Sequence, residues 1–141
     1  MSRIAIAIVL AVVVLAAGWA VAAPTTVTAA EPVSGATAVT KIGSAAELDA
    51  LLARATGDVV LDFSATWCGP CRLLEPQLAA FAIAHPGTTV VAIDVDQVPD
   101  LAQRYAIEAM PTLIHVRGGK EVKRTKGYRD APAIATWLAG A

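Results

Sequence analysis

Cysteine is almost absent from this 141-residue chain: there are two, Cys68 and Cys71. Two cysteines make at most one bridge, which excludes a scaffold in which several disulfides replace a missing core. An excess of charge of one sign is also lacking. Eleven Lys and Arg stand against twelve Asp and Glu, a net charge of −1. Leaving out Arg3 near the N-terminus, ten basic residues face twelve acidic ones. Such a balance gives no footprint for nucleic acid or another polyanionic partner. The hydrophobic content of 56 % does not imply a multi-span membrane protein, because one N-terminal segment and abundant alanine inflate it.

That segment reads MSRIAIAIVLAVVVLAAGWAVAAPTTVTAAEP. Charge is missing from Ile4 to Ala23, a run of about 20 residues and so long enough to span a bilayer as a helix. Arg3 precedes it and no Lys or Arg follows until Lys41. The positive-inside rule then keeps the N-terminus in the cytoplasm and exports everything after Pro24. Residues 1–23 are expected to be an uncleaved membrane anchor or, alternatively, a signal peptide. Ala20-Val21-Ala22 and Thr28-Ala29-Ala30 both offer small-x-small cleavage sites. A buried soluble helix is a poor third reading, since no polar face interrupts the run. Trp19 suits a membrane interface if the segment is retained. Residues 24–36, rich in Pro, Thr, Ser, Gly and Ala, read as a linker, and a domain follows over 37–141.

Within the domain, TAVTKI is a candidate first strand. SAAELDALLARATG pairs Ser44 with Glu47 as a capping box and puts Leu48, Leu51 and Leu52 on one face, ending at Gly57. VVLDFSA reads as a buried central strand. Gly69-Pro70 opens a helix carrying Leu74, Leu78 and Phe81, which Pro76 is expected to kink. TTVVAIDVD is another buried strand, and VPDLAQRYA is a short helix with Pro99 in its first turn. PTLIHVRGGKEVKRTKG is a hairpin around Gly118-Gly119, and DAPAIATWLAG is a closing helix capped by Asp130. The order β-α-β-α-β-α-β-β-α calls for an α/β fold, a central mixed sheet flanked by helices on both faces.

Cys68-Gly69-Pro70-Cys71 lies where a strand gives way to a helix. Cys68 at the helix N-terminus meets unsatisfied N–H groups and the positive end of the macrodipole, which favour a thiolate. A free thiol titrating near about 8.5 is lowered in such a setting. Cys71, one turn further, is expected to face inward. Unequal roles follow: Cys68 attacks a substrate disulfide, and Cys71 resolves the mixed disulfide. Pro70 fixes the backbone between them and removes a donor. Two blander readings compete. Half a zinc site needs a second pair of ligands, and His85 and His115 are distant in sequence. A purely structural bridge would close too short a loop to restrict the unfolded chain much.

WCGPC, preceded by VLDFSAT and followed about 40 residues later by MPT, resembles thioredoxin over roughly residues 40–139. The resemblance implies the thioredoxin fold and a redox-active Cys68–Cys71 disulfide. It implies that Asp62 accepts and returns the proton of the inner cysteine, a task suited to a buried carboxyl; the alternative is a strand-end Asp bound to backbone. It makes Pro111 a cis-proline opposite the dithiol, exposing the Met110 backbone to substrate; without it, Pro111 is an ordinary strand-start residue. Trp67 would shield the dithiol and, with Gly69 and Pro70, form a docking surface, although a Trp at a strand end is as often core. Two departures stand out. Ser64 occupies a place where many members carry a second tryptophan, and Ala92 aligns with a lysine near the buried aspartate. Loss of that cation would raise the Asp62 pKa further or leave its proton route to water.

Lys120, Lys123, Arg124 and Lys126, with Arg117 and Arg129 nearby, form either a docking patch for an acidic partner or a lysine-protected edge strand. Trp137 and Leu138 are expected in the core. The resulting expectation is a protein-disulfide reductase without cofactor or metal. It would serve disulfide-containing client proteins, fed by a membrane or soluble thiol electron donor. It would sit on the extracytoplasmic side of the cytoplasmic membrane, or be periplasmic or secreted if cleaved. An extracytoplasmic oxidase or isomerase, and a non-catalytic binding or chaperone module, are the alternatives.

Overall fold

In the computed structural model, residues 39–140 are described. The expected anchor or signal peptide, the linker and the first residues of the TAVTKI strand lie outside them. The elements are β1 (Thr40–Ile42), α1 (Ala45–Arg54), β2 (Asp58–Ser64), α2 (Gly69–Ala84), β3 (Thr88–Asp94), α3 (Pro99–Arg104), β4 (Thr112–Arg117), β5 (Lys120–Lys126) and α4 (Ala131–Ala139). Five strands form one mixed sheet in the order β1-β3-β2-β4-β5. β1, β3 and β2 run parallel, while β4 and β5 are antiparallel to their neighbours. Expected and observed element orders agree.

Strand alternation sends successive side chains to opposite faces, and β2 shows the consequence. Val59, Leu61 and Phe63 join a core with Leu48 and Leu51 of α1 and Leu101 of α3. Val60 joins a second core with Leu74, Leu78 and Phe81 of α2 and Ile134 of α4. Asp62 shares the parity of Val60 and therefore lies on the α2 side. Trp137 and Leu138 are only partly buried, packed against this second core.

Two local expectations need correction. Helix α1 stops at Arg54, because Ala55 turns to an extended conformation (φ −68°, ψ 123°). Gly57 serves packing instead: a Cβ there would come within 2.9 Å of the Gly87 carbonyl oxygen. The capping box is offset by one residue. Ser44 Oγ accepts from Glu47 N–H at 3.2 Å, but Glu47 Oε2 accepts from Gly43 N–H at 2.7 Å. Helix α2 runs through Pro76 to Ala84, as the spacing of Leu74, Leu78 and Phe81 implied. An interior proline costs about 3 kcal/mol, whereas each fully buried Leu or Phe contributes roughly 1.5–3 kcal/mol. Leu74, Leu78 and Phe81 are all at most 2 % exposed, so packing outweighs the lost hydrogen bond and the element persists.

The β4–β5 hairpin turns where expected, with Gly118 and Gly119 both at positive φ (58° and 75°), as a tight hairpin turn demands. Its cations are largely engaged. Arg117 bonds Asp58, Arg124 forks onto Glu121, Lys126 bonds Glu108, Arg129 bonds Thr125, and Lys123 donates to the Trp137 carbonyl. Three of the six cations thus meet a carboxylate, and the strand carries the charged side chains with which an edge strand is protected.

Candidate active site

Strand β2 ends at Ser64, and the chain reaches α2 through Ala65-Thr66-Trp67-Cys68. Cys68 is the N-cap of α2, with Pro70 in the first turn, where its fixed φ and missing N–H cost the helix nothing. Cys68 and Cys71 are disulfide-bonded, with Cα atoms 5.3 Å apart. The Cys71 N–H donates to Cys68 Sγ at 3.3 Å. One of the helix's orphan donors thus points at the outer sulfur, as a helix N-terminus dictates.

The expected contrast between an outer and an inner cysteine is absent from burial in this oxidised state: Cys68 is 6 % and Cys71 5 % exposed. The asymmetry lies in what they face. Cys71 lines a cleft of about 530 Å³ between α2 and the β1-β3-β2 face of the sheet, and Asp62 lines the same cleft. The sulfurs are covered by Ala65, Val95 and Met110. Trp67, 65 % exposed, stands outward instead, its Nε1–H donating to Asp96 Oδ2 at 2.8 Å. Val95 and Met110 therefore contribute to the shielding of the dithiol. The Trp67 ring is presented to solvent beside the dithiol.

Asp62 is 4 % exposed, and its Oδ1 has no hydrogen-bond partner among the described residues. The alternative of a strand-end Asp tied to backbone does not account for that oxygen. Loss of solvation pushes the carboxyl from its ordinary value of 3.8 up to about 7, the charge of Glu75 adds to the rise, and the Ser64 side chain works against it. A group poised near neutrality can both take and release a proton at working pH.

The Met110–Pro111 peptide is cis, and Met110 packs on the dithiol. Pro111 is buried, and its carbonyl accepts from Gly127 N–H at 2.8 Å. All the expected site residues, Asp62, Trp67, Cys68, Gly69, Pro70, Cys71, Met110 and Pro111, therefore fall around one end of the sheet. Among the described residues no group of three His, Cys, Asp or Glu is arranged to hold a metal.

The sequence pattern of the Thioredoxin family matches residues 39–140. The chain belongs to the thioredoxin family. Among its relatives, Thioredoxin-2 of Saccharomyces cerevisiae is 45 % identical over 93 residues, covering 66 % of this chain and 89 % of the yeast protein. The thioredoxin of Chlamydia trachomatis is 42 % identical over 80 residues, 57 % of this chain and 78 % of the other. The X-ray structure of Fasciola hepatica thioredoxin superposes with a TM-score of 0.69 at 33 % identity, covering 72 % of this chain and 98 % of that one. The fold and a thioredoxin-type dithiol oxidoreductase follow from this membership.

Three neighbours of the thioredoxin dithiol went unnoticed in the sequence. Asp96, the acceptor for Trp67, is 29 residues from it along the chain. Glu75 could have been found, since it lies four residues after Cys71 and so on the same helix face. Lys41 could not, because only the strand order β1-β3-β2 brings it near Asp62. Ala92 is the direct register partner of Asp62, and Lys41 is the partner of Ala92 one strand further out.

Proposed function

We propose that this thioredoxin-family protein is a protein-disulfide reductase acting on the extracytoplasmic side of the cytoplasmic membrane. The observation that supports the chemistry best is the shared cleft, lined by both Cys71 and Asp62, whose Oδ1 has no hydrogen-bond partner among the described residues. In the reduced protein the Cys68 thiolate is favoured by the N-terminal dipole of α2 and the N–H of Cys71. It attacks one sulfur of a client disulfide, that bond breaks, and one client sulfur departs as thiolate. Asp62, as carboxylate, takes the Cys71 proton. The Cys71 thiolate then attacks the Cys68 sulfur, releases the second client thiolate and restores the internal disulfide. Two electrons have passed to the client, and an external dithiol donor returns them. Trp67, Gly69, Pro70, Met110 and Pro111 form the surface on which the client docks.

The Gly-Pro spacer favours reduction over oxidation. Thioredoxin itself has an established potential near about −270 mV, against about −120 mV for the strong periplasmic oxidant. Equilibrating the full-length chain with glutathione tests the direction: a potential above about −180 mV would assign it to the oxidase or isomerase class. Cys68→Ser should abolish insulin reduction in vitro and the biological role together; a role that survives Cys68→Ser would mark a binding module. The location is supported by Arg3 and the uncharged run from Ile4 to Ala23. A reporter enzyme active only outside the cytoplasm, fused after Ala141, should be active; an inactive, intact fusion would overturn the export reading.

A further inference from the structure

Lys41, Ala92 and Asp62 occupy one register row across β1, β3 and β2, so their side chains share the face covered by α2. Ala92 ends at its Cβ and leaves the cleft open between Asp62 and the outer strand. At the mouth stands Glu75 of α2, its Oε1 3.8 Å from Lys41 Nζ, with the Lys41 and Glu75 side chains 79 % and 69 % exposed. Both line the cleft, together with Cys71, Arg72 and Asp94. These are the titratable and charged groups around Asp62: Cys71, Arg72 and Glu75 from α2, Lys41 from β1 and Asp94 from β3. Asp94 is occupied locally, accepting from Asp96 N–H and Gln97 Nε2.

We propose that Glu75 is a positioning residue for the Cys71 step, exchanging protons between Asp62 and solvent at the cleft mouth, with Lys41 as its counter-ion. The inference rests on the disulfide-exchange role given above to Asp62. Three features carry it. The buried Oδ1 of Asp62 has no hydrogen-bond partner among the described residues, and Asp62 lines this cleft, which gives its proton a route to solvent. A space of about 530 Å³ is roomy enough for water to bridge polar groups. Glu75 is the charge among the described residues that acts on Asp62, and it acts to hold the proton on. Lys41 meets Glu75 instead of Asp62, and no cation among the described residues compensates the inner carboxyl.

The exchange balances without any further reagent. Cys71 loses its proton to the Asp62 carboxylate and becomes the attacking thiolate. Protonated Asp62 passes the proton through the cleft to the Glu75 carboxylate, which releases it to bulk water. The client thiolate set free in the same turn draws a proton from solvent.

The test is the pH profile of insulin reduction by the full-length chain between about pH 5.5 and 9. Glu75→Gln removes a like charge and should move the acidic inflection down by roughly half to one pH unit. Lys41→Met should move it the other way by less, and Glu75→Asp should restore a profile close to wild type. In an Asp62→Asn background, Glu75→Gln should leave the profile of the residual activity where it is. An unshifted Glu75→Gln profile, or a shift that survives in Asp62→Asn, would overturn the assignment while leaving the reductase reading intact. Failure of the wild-type chain to reduce insulin would instead sink that reading and this inference with it.

Discussion

Replacing Asp62 by Asn should make the oxidised protein more stable, and the gain should depend on pH in a way the structure dictates. The carboxyl has an ordinary value of 3.8 and is held at about 7 in the fold. Between those values the unfolded chain has released the proton while the folded chain still holds it. The folded state therefore binds more protons, and stability falls as pH rises through this window. Each unit of difference is worth about 1.4 kcal/mol, so the full displacement amounts to on the order of 4 kcal/mol. Relaxation and water entering the cleft will relieve part of this, leaving roughly 2–4 kcal/mol above pH 7.

An asparagine of the same shape never ionises and so escapes that loss. Urea unfolding of the wild-type and Asp62→Asn chains, both with the Cys68–Cys71 disulfide intact, should be followed from pH 4 to 8. The stability difference should be smallest at pH 4 and grow by roughly 2–4 kcal/mol in favour of Asn by pH 8. Other titrating groups cancel in the comparison because both proteins carry them. Equal m-values would show that the unfolded states expose similar surface. A difference that stays flat across this range, or shrinks as pH rises, would refute the claim that Asp62 is buried and protonated near neutrality.

Other outcomes follow from the same contacts. Asp58→Ala removes the acceptor 2.7 Å from His115 Nε2 and from Arg117 Nε; with His115 fully buried, the loss should be about 1–3 kcal/mol in urea titration, with insulin reduction unchanged. The pKa of Asp58 is lowered, first by its bond to Arg117 and then by His115, so its contribution is present above about pH 4 and fades as pH falls through the depressed value. That part of the wild-type advantage over Asp58→Ala should therefore narrow in acid. Gly57→Ala drives a Cβ toward the Gly87 carbonyl oxygen and should cost on the order of 1–3 kcal/mol, seen as a lower Tm. Asp96→Ala frees the Trp67 indole; stability should change by less than about 1 kcal/mol because the pair is exposed, while KM for insulin should rise with kcat nearly constant. An unchanged KM would remove Trp67 from the docking surface.

The fold was legible wherever local physics agrees with the tertiary outcome. The two buried strands, the hairpin at Gly118-Gly119 and the caps at Ser44 and Asp130 all follow from periodicity and turn chemistry. They appear where expected, to within a few residues. The end of α1 was misread because glycine signals both helix termination and close backbone approach, and Gly57 serves the second. The helix across Pro76 was legible from the spacing of Leu74, Leu78 and Phe81, but what holds it together there was hidden. A proline's cost is local and visible, whereas the burial of Leu74, Leu78 and Phe81 that offsets it depends on the sheet and on α4.

The same distinction divides the site. The dithiol is contiguous, and the place of Cys68 at the start of α2, over the helix dipole, follows from four adjacent residues. Asp62, too, could be placed under α2 once β2 was known to be buried on both faces. The cleft is another matter, because it exists only through the order β1-β3-β2, which inserts a later strand between two earlier ones. That insertion sets Ala92 beside Asp62 and Lys41 beyond it, and so moves the nearest strand-borne ammonium from the buried carboxyl to Glu75 at the rim. A lysine introduced at Ala92 would reverse the arrangement by placing an ammonium against the Asp62 carboxyl and favouring its charged form. Ala92→Lys should therefore erase most of the pH-dependent gain expected of Asp62→Asn, as a flattened difference between Ala92→Lys and Ala92→Lys/Asp62→Asn in urea unfolding from pH 4 to 8. If the gain persists undiminished, the carboxyl is governed by something other than the charges that share its cleft.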